Sequence, residues 1–435
     1  MTAPAFEYVQ LTVGQGPTAD FGRKLNKWLS YEVTQSIFNP GSFSFRLGLA
    51  GQAGDKLTLD EIRSIMRSTR PDTVVRLEQG DRRTLLFRGI IDRQYIGGSR
   101  GEEYVDITGR DAGQVLQDNE CQQKQISGKT LPQVAEEILS RYRGKGIPFN
   151  VLASADANRD IMTGKQNGVT AKKTIRTAKG KAQVKIGTGN TGGTPVGFVS
   201  TDTKNARPHP GETEWAFLER HAKNLGVLMY FGAEGDLIFT APDYSQPALY
   251  ELRRRLVSDA KAPNNILDGG RAFDTANTAT AVHIYGHSEG RGEDRSQVTA
   301  TATIVDENGN RVAVSKAKAS SAKPSYGKAV SQSVWPRERT IRDSHAKTKD
   351  QAAKLSQREL AQRAMNFETY EYTLADHESE FGVPYAIDFQ AHVIDEVCDV
   401  DAVIYLTERQ IHKSRTETNA TRTVLKGVPK GAIVI

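Results

Sequence analysis

The chain has 435 residues, of which 37% are hydrophobic and 25% are charged, and its formal net charge is +6. The length predicts about three domains, and the ordinary globular composition excludes both a disordered chain and a membrane-embedded one. No window approaches the roughly 18 consecutive apolar residues of a membrane-spanning helix, and the N-terminus shows no secretory signal pattern.

The positive charge is concentrated in two segments. Residues 161–201 hold seven basic residues and no acidic one, and residues 311–349 hold ten Lys or Arg against two acids. Outside these segments acidic residues outnumber basic ones, by 50 to 41. An acidic scaffold is a poor match for a phosphate backbone, so the charge distribution disfavours nucleic acid as the main partner. The only two cysteines, Cys121 and Cys398, are too few for a disulfide framework or a four-thiolate zinc site.

Residues 1–118 predict a first β-barrel domain. Phe43, Phe45 and Leu47 alternate with small or polar residues, which is the period of a half-buried strand. Thr58 can cap a short helix that reaches Met66. Three further strands are predicted: Thr73 to Leu77, Leu85 to Asp92 and Tyr104 to Thr108.

Residues 119–250 predict an α/β domain. An amphipathic helix begins at Thr130, which with Gln133 fits a capping box, and a strand over Ile147 to Leu152 follows it. Residues 154–199 are rich in Gly, Thr and Lys and predict an inserted loop or hairpin arm, with one strand-like piece at Ala182 to Ile186. The basic residues of this insertion are a candidate interaction site: Lys172, Lys173, Arg176, Lys179, Lys181 and Lys185.

The segment from Gly211 to Pro242 predicts a helix followed by a hairpin. Trp215, Leu218 and Leu225 share one helical face, and Gly226 can end the helix in the left-handed conformation. The strands are predicted over Val227 to Phe231 and Leu237 to Thr240, around a glycine-containing turn.

Residues 251–435 predict a second β-barrel domain, with a basic excursion at 306–349 and a helix at 350–366. Its predicted strands are Val282 to Tyr285, Val298 to Val305, Tyr370 to Leu374, Ile387 to Val393, Ala402 to Leu406 and Arg422 to Val428. The segments near Pro71 and near Pro384 resemble each other weakly, since each pairs a strand with a later strand that ends in charged residues. The whole chain is therefore predicted as α+β and mainly β, with two β flanks around a central α/β portion.

Motifs that look chemical lack the context that their chemistry needs. Gly187 to Gly192 matches a dinucleotide-binding fingerprint but opens no helix, and Ser127 to Thr130 lacks the upstream glycine of a phosphate-binding loop. His283 and His287 have no carboxylate or cysteine nearby in sequence to complete a zinc site. The polar cluster Asp376, His377, Glu378 and Glu380 is interpreted as a solvated loop. We predict no catalytic residue, no metal and no cofactor.

Four stretches, in this order, carry a resemblance to a known family. They are FRGIIDRQY, DITGRDAGQVLQD, TLPQVAEEILSRY and GETEWAFLERHAKNLGVLMYFGAEGDLIFTAPD. Together they resemble the baseplate hub family of contractile-tailed phages, above all the hub of Mu-like phages and the late control protein D group. The base of the type VI secretion spike protein is more distantly similar. The most specific marker positions are Gly211, Glu212, Thr213, Leu218, Glu219, Arg220, Gly226 and Gly235.

The resemblance implies a structural, non-enzymatic protein of the virion tail baseplate, assembled in the host cytoplasm. Such hubs are homotrimers in which each subunit contributes two similar β-barrels, so that three subunits match a hexameric tail tube on one side and a trimeric central spike on the other. The implied partners are the chain itself, the tail tube protein, the spike protein and other baseplate components. The 154–199 insertion is longer than the family pattern, and no lysozyme-like domain is inserted.

Two alternatives stay open at this point. The seven-to-zero charge ratio of residues 161–201 is compatible with a nucleic-acid-binding protein that acts through Lys172 to Lys185. The carboxylates near Asp376 are compatible with a peptidoglycan hydrolase, although spacing in sequence cannot identify a catalytic carboxylate pair.

Overall fold

We describe the fold from a computed structural model of the chain. It describes residues 9–14, 23–25, 28–48, 59–79, 84–99, 102–123, 126, 128–143, 147–155, 157–158, 161, 172–177, 180–185, 207–257, 263–274, 276, 278–287, 297–303, 337–342, 349–414 and 421–433. Within these residues, no helix is long and apolar enough to cross a membrane.

The first flank contributes seven strands and one helix. The strands are β1 (Val9–Gly14), β2 (Arg23–Leu25), β3 (Trp28–Ser36), β4 (Ser42–Gly48), β5 (Val74–Gln79), β6 (Thr84–Ser99) and β7 (Glu102–Asp111). Helix α1 (Leu59–Ser68) lies between β4 and β5. The alternation in β4 buries Phe43, Phe45 and Leu47 as predicted, and these side chains form one core with residues of β5, β6 and β7.

The second flank contributes six strands to the same sheet. They are β13 (Tyr250–Arg254), β14 (Ile266–Phe273), β18 (Glu368–Leu374), β19 (Gln390–Asp395), β20 (Val400–Ser414) and β21 (Thr421–Pro429). The sheet order is β14-β18-β21-β20-β3-β4-β7-β6-β5-β1-β2, and β13 joins through β19. The two flanks are therefore continuous, because β3 of the first flank pairs with β20 of the second.

The central portion packs helices on a small mixed sheet. It contains α2 (Gln114–Asp118), α3 (Leu131–Leu139), β8 (Val151–Ala153), α4 (Glu214–Leu225), β11 (Leu228–Phe231) and β12 (Leu237–Thr240). The sheet order is β11-β12-β8, and both faces of the β11–β12 hairpin are buried. The predicted capping interaction of α3 is present, since the Thr130 N–H donates to the Gln133 side chain at 3.0 Å.

Two further small sheets are inserted. Strands β9 (Lys172–Thr177) and β10 (Gly180–Lys185) form an antiparallel hairpin within the predicted insertion. Strands β15 (Ala281–His287), β16 (Gln297–Thr303) and β17 (Glu338–Arg342) form a three-stranded sheet against helix α5 (Lys349–Met365), between β14 and β18 of the second flank.

The two flanks share one topology. Each flank has five corresponding strands, β3 to β7 in the first flank and β14 with β18 to β21 in the second. If the strands of a flank are numbered one to five along the chain, their order across the sheet is one, two, five, four, three. Two β-bulges also coincide. The first bulge lies in the first strand of each flank, between Trp28 and Ser30 in β3 and between Ile266 and Asp268 in β14. The other lies in the fourth strand, after Ile91 and after Leu406.

Single residues confirm this correspondence. Asp72 and Asp388 both precede the third strand, and both adopt the left-handed conformation with φ of 65° and 66°. The Asp72 N–H donates to the Ile91 carbonyl at 2.9 Å, and the Asp388 N–H donates to the Leu406 carbonyl at the same distance. The weak sequence similarity between the flanks is thus confirmed as a shared fold, although the strand registers align Asp72 with Asp388 and not Pro71 with Pro384.

Several predictions about single elements were incomplete. Strands β1, β2, β3, β13, β14 and β17 were not predicted, β8 begins four residues later than expected, and the insertion holds two strands where one was expected. The described strands of the two flanks, which were predicted as barrel-like domains, form one open sheet and no closed barrel. No ladder joins β13 to β14 among these strands. They are linked by the Asn265 N–H, which donates to the Arg253 carbonyl at 3.0 Å, and by the Arg254 side chain, which donates to the Gly269 carbonyl at 3.0 Å. The division into three domains stays a prediction.

Candidate interaction surfaces

The marker segment begins with a fixed chain reversal. Gly211 has φ of +76°, which favours glycine, and the Thr213 side chain then accepts a hydrogen bond from the Ala216 N–H at 3.2 Å. Glu214 in the first turn is fully buried, and it accepts a hydrogen bond from the Tyr142 hydroxyl at 2.9 Å and forms an ion pair with Arg141. These contacts attach the start of α4 to the turn that follows α3.

Glu212 and Arg220 form a two-bond ion pair across the first turns of α4. Arg220 Nε donates to Glu212 Oε1 and Arg220 Nη2 donates to Oε2, both at 2.9 Å. Burial pushes the pKa of Glu212 upward, but the hydrogen bonds from Arg220 and from the His209 N–H bring it below the ordinary value. The two marker residues therefore fix the entry of the chain into α4.

The other marker positions also have structural roles. Leu218 is fully buried in the core around α3 and α4. Gly226 ends α4 with φ of 70°, and Gly235 in the hairpin turn has φ of 79°, so both need the freedom of glycine. At Gly235 a Cβ atom would also lie 2.8 Å from Ile147 Cγ2. Glu219 pairs with Lys223 at 2.8 Å on the partly exposed side of the helix.

The hairpin is joined to the second flank by a carboxylate that the sequence did not single out. The Tyr230 hydroxyl donates to Asp388 Oδ2 at 2.6 Å, and the Tyr405 hydroxyl donates to Asp388 Oδ1. Burial, followed by the neighbouring Asp388 charge, raises the pKa of both tyrosines well above the ordinary value, so both stay protonated donors. Neither the distance in sequence nor the residue types predict this contact.

A buried arginine joins the two flanks. The Arg409 guanidinium donates to the Leu86 carbonyl at 2.9 Å, and also to the Gln35 side chain and the Tyr385 carbonyl. Burial lowers its pKa to about 10. Its acceptors are all neutral oxygens of three separate segments, so its role here is to hold β3, β6 and the segment before β19 together.

A cavity of about 320 Å³ lies beside helix α4. Apolar side chains of four regions line it: Ile37 after β3, Ala222 and Leu228 at α4 and β11, Met365 at the end of α5, and Ile433 after β21. Glu219 and Lys223 stand at its edge. The cavity is therefore suited to an apolar side chain and offers no cluster of catalytic groups.

The basic hairpin places like charges opposite each other. The register sets Lys172 opposite Lys185 and Arg176 opposite Lys181, with Lys173 opposite Val184. Lys179 and the glycine motif of residues 187–192 lie outside the described residues.

The loop near Asp376 is exposed at Asp376 and Glu380, as expected, but not at His377. His377 is buried: its Nε2 lies 2.9 Å from the Tyr31 hydroxyl, and its Nδ1 lies 2.9 Å from the Thr423 hydroxyl. Burial holds the pKa of His377 well below the ordinary value, so the ring is neutral. Glu380 pairs with the buried Arg253 at 2.5 Å. The histidine joins the flanks, and the turn is held by an ion pair.

His283 and Cys121 are two further residues whose side chains could take part in chemistry. His283 Nδ1 lies 2.9 Å from the Thr301 hydroxyl, and His283 Nε2 lies 3.4 Å from a Glu338 carboxylate oxygen. Burial raises the pKa of Cys121, which makes it a weak nucleophile. Among the residues that the structure describes, no group of three or more His, Cys, Asp or Glu side chains could hold a metal ion.

Comparison with known proteins gives likeness in structure only. No protein-family model and no curated protein sequence matches the chain. A tail protein from Neisseria meningitidis is 19% identical, covers 98% of each chain and has a TM-score of 0.65. A 43 kDa tail protein of prophage MuSo2 from Shewanella oneidensis is 16% identical over 98% of this chain and 99% of its own, with a TM-score of 0.66.

A more distant likeness is to a chain of the Francisella PdpA-VgrG complex. It is 9% identical, and the match covers 98% of this chain but 59% of that chain, with a TM-score of 0.52. The resemblance noted in the sequence is thus confirmed for the fold: over nearly its whole length, the chain has the mainly β, α+β fold of these two tail proteins.

Proposed function

We propose that the chain is a structural baseplate hub of a phage tail or a related contractile injection particle. In this proposal three copies form a ring that connects a hexameric tail tube to a trimeric central spike. The ring would lie in the virion tail baseplate after assembly in the host cytoplasm, and it would have no enzymatic activity.

The duplicated flank carries this proposal. Each chain holds two copies of one five-stranded arrangement with the same strand order and the same two bulges. Three such chains would present six nearly equivalent units, while the central portion and the insertions would occur only three times. That combination is what a connector between sixfold and threefold partners requires.

Imaging of the purified protein tests this proposal. We expect negative-stain averages to show a ring with six similar lobes on one face and three features on the other. Compact particles without a central ring, or rings of another symmetry, would contradict the hub assignment.

The basic hairpin favours one secondary role. We propose that β9 and β10 contact an acidic surface of a neighbouring baseplate protein, because their register opposes like charges that need an anionic partner. Nucleic acid is the competing anion. Retention of DNA on a filter at about 50 mM salt, lost when Lys172, Lys173 and Lys185 are changed to Gln, would favour that competitor.

A further inference from the structure

The two flanks differ in which strand edges are covered. In the second flank, the part of β20 after its bulge, Glu408 to Ser414, pairs with β21 on one edge and with β3 on the other. The corresponding part of β6, Arg93 to Ser99, pairs with β7 on one edge. Its other edge has no strand partner among the described residues.

The first strands of the two flanks differ in the same way. Strand β3 pairs with β4 on one edge and with β20 on the other. Its counterpart β14 pairs with β18, and it stands at the end of the sheet. In the described part of the chain, one fourth strand and one first strand thus have an uncovered edge. These are the two elements that pair with each other where the flanks meet.

We propose that β14 of one subunit pairs antiparallel with β6 of the next, and so repeats between subunits the β3–β20 pairing within each subunit. This inference rests on the proposed trimeric hub and names its interface. The contact is head to tail, so three copies can close into a ring with no uncovered β6 or β14 edge.

Side-chain exposure at corresponding positions supports the pairing. Ile411 on β20 is 0% exposed in a core that includes Tyr31 and Val33 of β3, whereas its counterpart Ile96 on β6 is 44% exposed. Gln35 on β3 is 4% exposed, whereas its counterpart Phe273 on β14 is 55% exposed. Two large apolar side chains are therefore open to solvent where the same positions inside the chain are buried.

The internal pairing also fixes the register of the proposed one. Glu408 pairs with Ser36 and Gln410 with Thr34. Transferred to the equivalent positions, Arg93 lies opposite the neighbour's Asp274, and Tyr95 lies opposite its Ala272. The first of these pairs brings opposite charges together, which favours this register over a shifted one.

Backbone groups are available for the new ladder. The Asp274 N–H donates to the Phe367 carbonyl within the chain at 2.9 Å. Because backbone groups alternate along a strand, those of Phe273 and Arg271 point to the uncovered edge. Toward the start of β14 the Gly269 carbonyl already accepts from Arg254, so we limit the ladder to Arg271–Asp274 against Arg93–Ile96.

Engineered disulfides test the pairing. Because Ala272 falls between the outward-pointing residues, it forms a non-hydrogen-bonded pair with Tyr95, where Cα atoms lie about 4.5 Å apart and a disulfide can form. The test chain carries Tyr95→Cys and Ala272→Cys with Cys398→Ala. After mild oxidation we expect a covalent three-chain species on a non-reducing gel.

Three controls and an independent mass measurement distinguish the possible outcomes. Each single variant should stay uncrosslinked, and a mixture of the two single variants should stop at two linked chains. Tyr95→Cys with Arg271→Cys should crosslink poorly, because a one-residue shift turns the side chains to opposite faces. A trimeric native mass without the disulfide would overturn this interface and leave the hub proposal intact, whereas a monomeric mass would overturn both.

An exchange of the two charges provides a second test. Arg93→Asp and Asp274→Arg should each lower the trimer fraction at a fixed protein concentration, and the double variant should restore it. Equal loss in all three variants would contradict the proposed register.

Discussion

At the scale of single residues, the best-defined contacts are carboxylates whose surroundings fix their charge. Glu212 is held ionised by Arg220, whereas Asp111 is fully enclosed and accepts hydrogen bonds from two backbone N–H groups, those of Gly41 and Gly113. Burial nevertheless dominates at Asp111 and raises its pKa to about 7. These two carboxylates should therefore affect stability in opposite directions as the pH changes.

Removing the Arg220 side chain should cost about 1–3 kcal/mol at neutral pH, because it leaves the nearly buried Glu212 carboxylate without its partner. The folded-state pKa of Glu212 is lowered, so the contribution of the pair is present above the ordinary pKa and is lost as the pH falls. Urea denaturation of Arg220→Met should show a difference from the unmodified chain that shrinks toward about pH 3.

Lys223→Met is the matched control, because Lys223 pairs with Glu219 on the same helix in a more exposed setting. We expect it to cost less than about 0.5 kcal/mol. Equal destabilisation by the two variants would contradict the role given to Glu212 and Arg220.

Asp111 predicts the opposite trend with pH. Its folded-state pKa is raised to about 7, so between the ordinary carboxyl pKa and that value the unfolded chain binds fewer protons than the folded one. Stability should therefore fall as the pH rises through this window. The urea midpoint of Asp111→Asn should fall less between about pH 5 and about pH 8 than that of the unmodified chain. Parallel pH profiles would refute this assignment.

At the scale of elements, the sequence predicted what local pattern encodes. The helices α3 and α4 and the hairpin after α4 follow from their apolar stripes and from Gly226 and Gly235. Strand β14 was not predicted, because its mostly exposed residues show no alternation of apolar and polar positions. The pairing of β3 with β20 joins residues more than 370 positions apart, so no local pattern could predict it.

Asp72 and Asp388 occupy corresponding positions in the two flanks and therefore give a matched pair of variants. Both have positive φ, but Asp388 also accepts hydrogen bonds from Tyr230 and Tyr405. Asp388→Gly should destabilise by about 1–3 kcal/mol because two buried hydroxyls lose their acceptor. Asp72→Gly should change stability by less than about 1 kcal/mol, because glycine tolerates this conformation.

Urea midpoints of these two variants are the measurement. If Asp72→Gly cost as much as Asp388→Gly, the tyrosine contacts would not be what distinguishes the two flanks.

At the scale of the whole molecule, the duplicated five-stranded unit is the central feature. One chain contains two copies of a five-stranded unit, pairs them through β3 and β20, and leaves the corresponding edges of β6 and β14 uncovered in the described part of the chain. A ring of three chains covers those edges and gives six similar units. The sequence alone indicated the two flanks and the resemblance to hubs, but not which edges they would share, because edge pairing depends on register between distant strands.

The native mass of the purified protein at micromolar concentration tests this central claim most directly. We expect a single species of three times the chain mass of 47.8 kDa. A monomer at that concentration, or an even-numbered assembly such as a dimer or a tetramer, would contradict it.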